Sequence, residues 1–140
     1  MNRGPFLSYF SAQPIRQKRA RIERMIGRWL MGALLLIGGF QKILDPRPVM
    51  QLLADQGMPE SLIVPATVFN LGAGACVLIN WNLRPVCLSS CAYCAFTSLF
   101  HFIPADGWQM SIFVKNWAIA GGFLCLAATT DQLQSTELDR

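Results

Sequence analysis

The residues of this chain that could do chemistry are few, and their spacing groups them. His101 is the only histidine, and in the stretch HFIPADGWQMSIFVKN it is followed by Asp106, Lys115 and Asn116. An imidazole there can donate, accept or carry a proton, and an ammonium beside an amide can hold the oxygens of a ligand. Just upstream, Cys87, Cys91, Cys94, Ser98 and His101 recur at intervals of 4, 3, 4 and 3, which places all five along one helix face. CAYC is formally a C-x-x-C. In thioredoxin-like proteins that motif draws reactivity from a helix N-terminus and from exposure, whereas Cys91 and Cys94 fall near the middle of an apolar run. These thiols therefore read either as small packing groups or as redox groups, and Cys76 and Cys125 read as packing. Lys42 and Asp45 form a third set, closing an apolar stretch in QKILDP. One histidine and one C-x-x-C make no zinc set. No phosphate loop, nucleophile elbow or carboxylate pair is present.

The elements that must position these groups follow from the solvent. With 53% hydrophobic and 14% charged residues in 140, the composition is too apolar for an ordinary soluble domain and points to a lipid bilayer. A soluble helical bundle would need a polar stripe on every helix, which these segments lack. Seven of the twelve Lys and Arg lie within residues 1–28, against the single acid Glu23. The net charge of +4 thus describes one end of the chain, a topogenic signal rather than a nucleic-acid footprint. Residues 1–25 contain no apolar run long enough for a secretory signal and are expected to remain as a basic cytoplasmic segment. The same Arg-rich, acid-poor start also fits an organelle transit peptide.

About 20 apolar residues span a bilayer as helix, and four windows qualify. They run from Ile26 to Leu44, Ser61 to Asn80, Pro85 to Ile103, and Gln109 to Ala128. The predicted fold is all-α: a four-transmembrane-helix bundle, up-down-up-down, over residues 26–130, with residues 131–140 as a cytoplasmic tail. Pro46 and Pro48 end the first span. Short NWNLRP and PADGW connections force spans two to four to alternate as neighbours. Between spans one and two, Val49, Leu52 and Leu53 share a face ahead of Gly57, which predicts a short interfacial helix. Basic residues alternate between the loops in the pattern that places both termini in the cytoplasm, with Trp29 and Trp81 at the inner boundary and Trp108 at the outer one.

In that topology Gln41, Lys42, Asp45, His101, Asp106, Lys115 and Asn116 gather in one layer at the outer end. Arg28 and Lys42, at opposite ends of span one, are expected to carry their charges to the two interfaces. Lys115, one to two turns inside its helix, is expected to face the bundle or a wet cleft, because facing lipid costs a few kcal/mol.

From Arg28 to Ala128 the chain resembles the DoxX family of small four-helix membrane proteins. The resemblance is carried by GGFQKILDP (Gly38 to Pro46), QGMP (Gln56 to Pro59), a Gly-rich second span, NLRP, Phe100-His101, and FVKNWAIAGG (Phe113 to Gly122). It implies a bacterial inner-membrane protein, linked in some relatives to quinone-coupled oxidation of sulfur compounds or to thiol homeostasis. It also marks Lys42, Asp45, Pro46, His101, Lys115 and Asn116 as family-type polar positions. One departure stands out: VFNLG places Asn70 where such proteins commonly carry a Glu, so a proton acceptor and a countercharge are missing from the second span.

Three functions remain open at this level. The first is a redox accessory in which Lys42, Asp45, Lys115 and Asn116 bind a quinone head or a small sulfur species and His101 moves a proton, with Cys91 and Cys94 as candidate thiols. The second is a non-catalytic assembly subunit of a larger membrane or redox complex, packing through its glycine faces. The third, a small-solute carrier, is disfavoured by the lack of an inverted repeat or an interrupted helix pair. No cofactor other than a quinone is suggested, and no metal.

Overall fold

Pro46 removes a backbone donor and disfavours helix in the residue before it, and there the chain makes its first turn, while Pro48 sits in the first turn of the helix that follows. The computed structural model describes the backbone of residues 5–138 and the side chains of residues 16–130. Among the described residues every regular element is helical: α1 (Pro5–Leu44), α2 (Arg47–Asp55), α3 (Ile63–Ile79), α4 (Leu83–Ser98) and α5 (Gly107–Leu138), with 3-10 turns at Glu60–Leu62 and Leu99–His101. The all-α expectation holds. Among the described residues three stretches are long and apolar enough to cross a membrane, namely Glu60–Ile79, Leu83–His101 and Gly107–Thr130. They coincide with the second, third and fourth windows. In the first window Arg28, Gln41 and Lys42 dilute the apolar run.

No break separates the basic segment from that first window. α1 is one helix of 40 residues, about 60 Å long at 1.5 Å per residue. The side chains of residues 1–15 and of the expected tail, 131–140, lie outside the described residues.

Local chemistry sets the turns. Gly57 has φ +68°; its N–H donates to Ala54 O (2.9 Å) and the Met58 N–H to Leu53 O (2.9 Å). This is a Schellman stop, which needs a left-handed residue and so favours glycine. The predicted short helix therefore exists as α2, held by Leu53, its one buried residue. Asn80 (φ 62°) and Asn82 (φ 45°) supply the left-handed geometry between α3 and α4, a conformation asparagine tolerates better than most residues.

α1 packs against α3 and α4 against α5, with lighter contact between the two pairs. The α1–α3 pair is antiparallel, since Gly32 lies against Leu78 and Gly74 while Gly39 lies against Leu71. Glycine permits this approach: a Cβ at Gly74 would lie 3.0 Å from the Gly32 carbonyl oxygen, and one at Gly32 would lie 3.2 Å from that of Gly74. Leu35, Val77, Cys87, Ala120, Phe123 and Ala127 are among the buried residues at the centre, drawn from all four long helices. Large apolar side chains such as Leu30, Ile37, Val64, Val68, Leu88 and Leu124 face outward. That arrangement suits hydrocarbon as solvent and not water. The hydroxyls of Thr67, Thr97, Ser98 and Thr129 donate to carbonyls three or four residues back in their own helices. Such bonds satisfy a polar group where no water can.

Candidate functional site

The end of the bundle that carries His101 is organised from α5 backwards. Asp106 Oδ1 accepts from the N–H groups of Trp108 (2.9 Å) and Gln109 (3.2 Å), so Asp106 caps α5 by satisfying donors with no intrahelical partner. The cap orients the first turn of α5, and Gln109 Oε1 then lies 2.7 Å from His101 Nδ1. Because Oε1 can only accept, Nδ1–H is the donor. The neutral ring then has Nε2 as its acceptor, the nitrogen able to take a proton. His101 itself is half-buried, in the 3-10 turn that ends α4.

Lys42 does not carry its charge outward as the sequence suggested. Its side chain turns back along α1, Nζ donates to the Gly38 carbonyl (3.1 Å), and the residue is half-buried. The reason is geometric. Helical side chains lean toward the helix N-terminus, and in α1 that direction runs inward, away from the turn at Asp45 and Pro46. The ammonium thereby reaches the level of Asn70 on α3, whose Nδ2 faces the same glycine, Gly38. Asn70 is 5% exposed, and its Oδ1 is buried with no hydrogen-bond partner.

The other expected members lie elsewhere. Asp45 is exposed at the end of α1. Lys115 is exposed on the outer surface of α5 rather than turned into the bundle, and Asn116 is half-buried. Among the described residues no hydrogen bond joins His101, Lys115 and Asn116 to one another. Of the residues expected in one layer, His101 pairs with Gln109, Lys42 turns toward the level of Asn70, and Asp45 and Lys115 are exposed.

Cys87, Cys94 and Ser98 of the expected face lie on the buried side of α4. Cys87, Ser90, Cys94 and Ser98 form the buried line of α4, while Cys91 is half-buried. All five cysteines are unbridged. Among the described residues no group of three or more His, Cys, Asp or Glu is placed to hold a metal ion.

Sequence reasoning missed Gln109. Its signal was available, because Asp106-Gly-Trp-Gln109 has capping-box spacing, although the Gln side chain here reaches His101. It noted Asn70 only as a departure and not as the neighbour of Lys42.

The DoxX family profile matches residues 24–102. The chain is similar to "Inner membrane protein YqjF" of Escherichia coli (strain K12), at 30% identity over 106 residues, covering 75% of this chain and 82% of that protein. No solved structure matches it.

Proposed function

The chain belongs to the DoxX family, and on that footing we propose that it is a multi-pass protein of a bacterial inner membrane, a redox-associated accessory component linked to quinones or to thiol and sulfur chemistry. In this reading α1 supplies a fourth span over residues 26–44, the four long helices run up-down-up-down, and α2 lies in the outer interface. Both termini are cytoplasmic. The exposed Trp29, Trp81 and Trp108 support that placement, because amphipathic rings favour the two boundaries.

The working site is the outer end of the bundle. A quinone head requires N–H donors at its carbonyl oxygens and apolar walls beside its ring. Lys42 fits the first requirement, since one of its three N–H groups goes to Gly38 and two remain; Asn116, half-buried on α5, carries a second donor amide. Apolar walls are at hand in Phe102, Phe113 and Trp117, whose rings meet in sequence at centroid distances of 5.2 Å, tilted, and 6.3 Å, edge-on. A bound quinone would supply the redox chemistry. His101 exchanges protons through Nε2 while Gln109 fixes its ring, Asp45 and Lys115 set the charge of the rim, and Cys91 and Cys94 are the candidate thiols. The observation that carries the reading is the His101–Gln109 pair, an oriented proton carrier at the outer end.

The test uses purified full-length protein and membranes containing it. Decylubiquinone is expected to quench tryptophan fluorescence saturably. His101→Ala and Lys42→Ala are expected to slow thiol or quinone turnover about tenfold or more, the range set by removing a general acid–base group. No saturable quenching, together with unchanged turnover in both variants, refutes the proposal.

A second reading has its own observation. Gly121 is open, with nothing within 4 Å of a Cβ placed there, and Lys115 is exposed nearby on α5. Small residues and an outward cation suit packing against a larger membrane complex. Recovery of the protein alone from native-detergent pull-downs counts against that reading.

A further inference from the structure

The half-buried cations of α1 keep to one side of the helix. Arg24, Arg28 and Lys42 share the face that also carries the buried Gly32, Leu35 and Gly39. The opposite face holds a line of exposed apolar side chains at helical spacing, Ile22, Ile26, Trp29, Ile37, Phe40 and Leu44. At 1.5 Å per residue that line runs about 33 Å, close to the roughly 30 Å hydrocarbon core of a bilayer crossed at modest tilt. Two cations close it at its N-terminal end. Lys18 and Arg19, four and three residues before Ile22, are exposed on the same face, about one turn beyond it. Among the described residues neither has an ion-pair partner, although Glu23 is exposed one turn from Arg19.

We propose that Lys18 and Arg19 bind the phosphates of anionic phospholipids in the leaflet where α1 enters, with the outward face of α1 immersed as far as Ile22. This rests on the reading that α1 crosses the bilayer, and it moves the boundary on that face one turn out from Ile26. Helical side chains lean toward the helix N-terminus, so both cations reach away from the hydrocarbon and into the headgroup layer, where anionic lipid attracts each of them. The Trp29 ring leans the same way and stays within reach of the interface. Charge and length together select lipid over a protein partner. A second copy packed in parallel would set Lys18 and Arg19 against the same cations, and an acidic partner helix would leave unexplained an apolar line that matches the bilayer core.

Native mass spectrometry of the full chain, released from nanodiscs of mixed phosphatidylglycerol and phosphatidylcholine, reads the lipid preference. The parent is expected to retain phosphatidylglycerol preferentially. Lys18→Gln together with Arg19→Gln is expected to lower that preference about 25-fold, about fivefold for each cation. Arg24→Gln with Arg28→Gln makes the same change in net charge on the other face and is expected to leave the preference largely unchanged. Immersion is read separately, with a bimane label at Ile22→Cys or Ile37→Cys in a cysteine-free background and nanodiscs of brominated-acyl lipid. Quenching is expected at both positions. Quenching at Ile37 without quenching at Ile22 overturns the inference and leaves the spanning reading standing, whereas no quenching at either refutes both. If the cysteine-free background does not fold, the lipid preference of the parent and the two double variants carries the test alone. No preference for phosphatidylglycerol, or an equal loss from the two double variants, overturns the proposal.

Discussion

Gly72 and Gly74 lie two residues apart on α3, and alanine at the two positions should change stability in opposite directions. At Gly72 a Cβ meets nothing within 4 Å. Alanine there relieves only the conformational cost of glycine in a helix, a gain of about 0.5–1 kcal/mol. At Gly74 a Cβ would lie 2.9 Å from Leu36 Cγ and 3.0 Å from the Gly32 carbonyl oxygen. The leucine contact is at a branch carbon and the glycine contact is backbone, so neither yields unless α1 and α3 separate. Overpacking of this kind costs about 1–3 kcal/mol, and the backbone contact argues for the upper end. With the helix-propensity gain set against it, Gly74→Ala should destabilise by about 2 kcal/mol. The two variants should therefore differ by about 3 kcal/mol, roughly a hundredfold in the folding equilibrium at 1.4 kcal/mol per factor of ten. SDS titration of protein folded in mild detergent, followed by tryptophan fluorescence, measures the difference. Equal destabilisation by both substitutions, or none by either, would show that the Gly32–Gly74 contact does not set the α1–α3 crossing.

Two further outcomes follow from burial. Ser90 Oγ is fully buried and unpartnered, so Ser90→Ala should raise stability by about 1 kcal/mol, reversing the usual sign for a core substitution; the same SDS titration reads it. Among single-cysteine variants, a membrane-permeant maleimide should label Cys125 first, Cys76 and Cys91 more slowly, and Cys87 and Cys94 only on unfolding, following their exposure. Labelling of Cys94 as fast as Cys125 would contradict the placement of α4.

How much was legible in the sequence depended on whether the signal was local. Pro46 stops α1 through the chemistry of one residue, and Gly57, Asn80 and Asn82 turn the chain because few other residues adopt a positive φ. Asp106 three residues before Gln109 announces the start of α5. Cys87, Cys94 and Ser98 of the face read on α4 are buried, and Ser90 rather than Cys91 completes the buried line. A helix apolar on every side has no polar stripe to mark which face turns inward, so periodicity alone could not choose between them.

The sequence by itself determined the solvent, the helical class and the turns between the helices, because runs of apolar residues and their terminators act on the chain segment that contains them; it did not show that α1 runs unbroken from Pro5. Only the tertiary structure decided where the polar groups point. Lys42 lies two residues before the end of α1 and Lys115 eight residues into α5; one ammonium turns back to Gly38 at the level of Asn70, while the other side chain is exposed. The difference arises from packing: α1 turns Lys42 toward its contact with α3, whereas Lys115 is exposed on α5. That choice is made by pairwise packing between helices distant in sequence, which no single segment encodes.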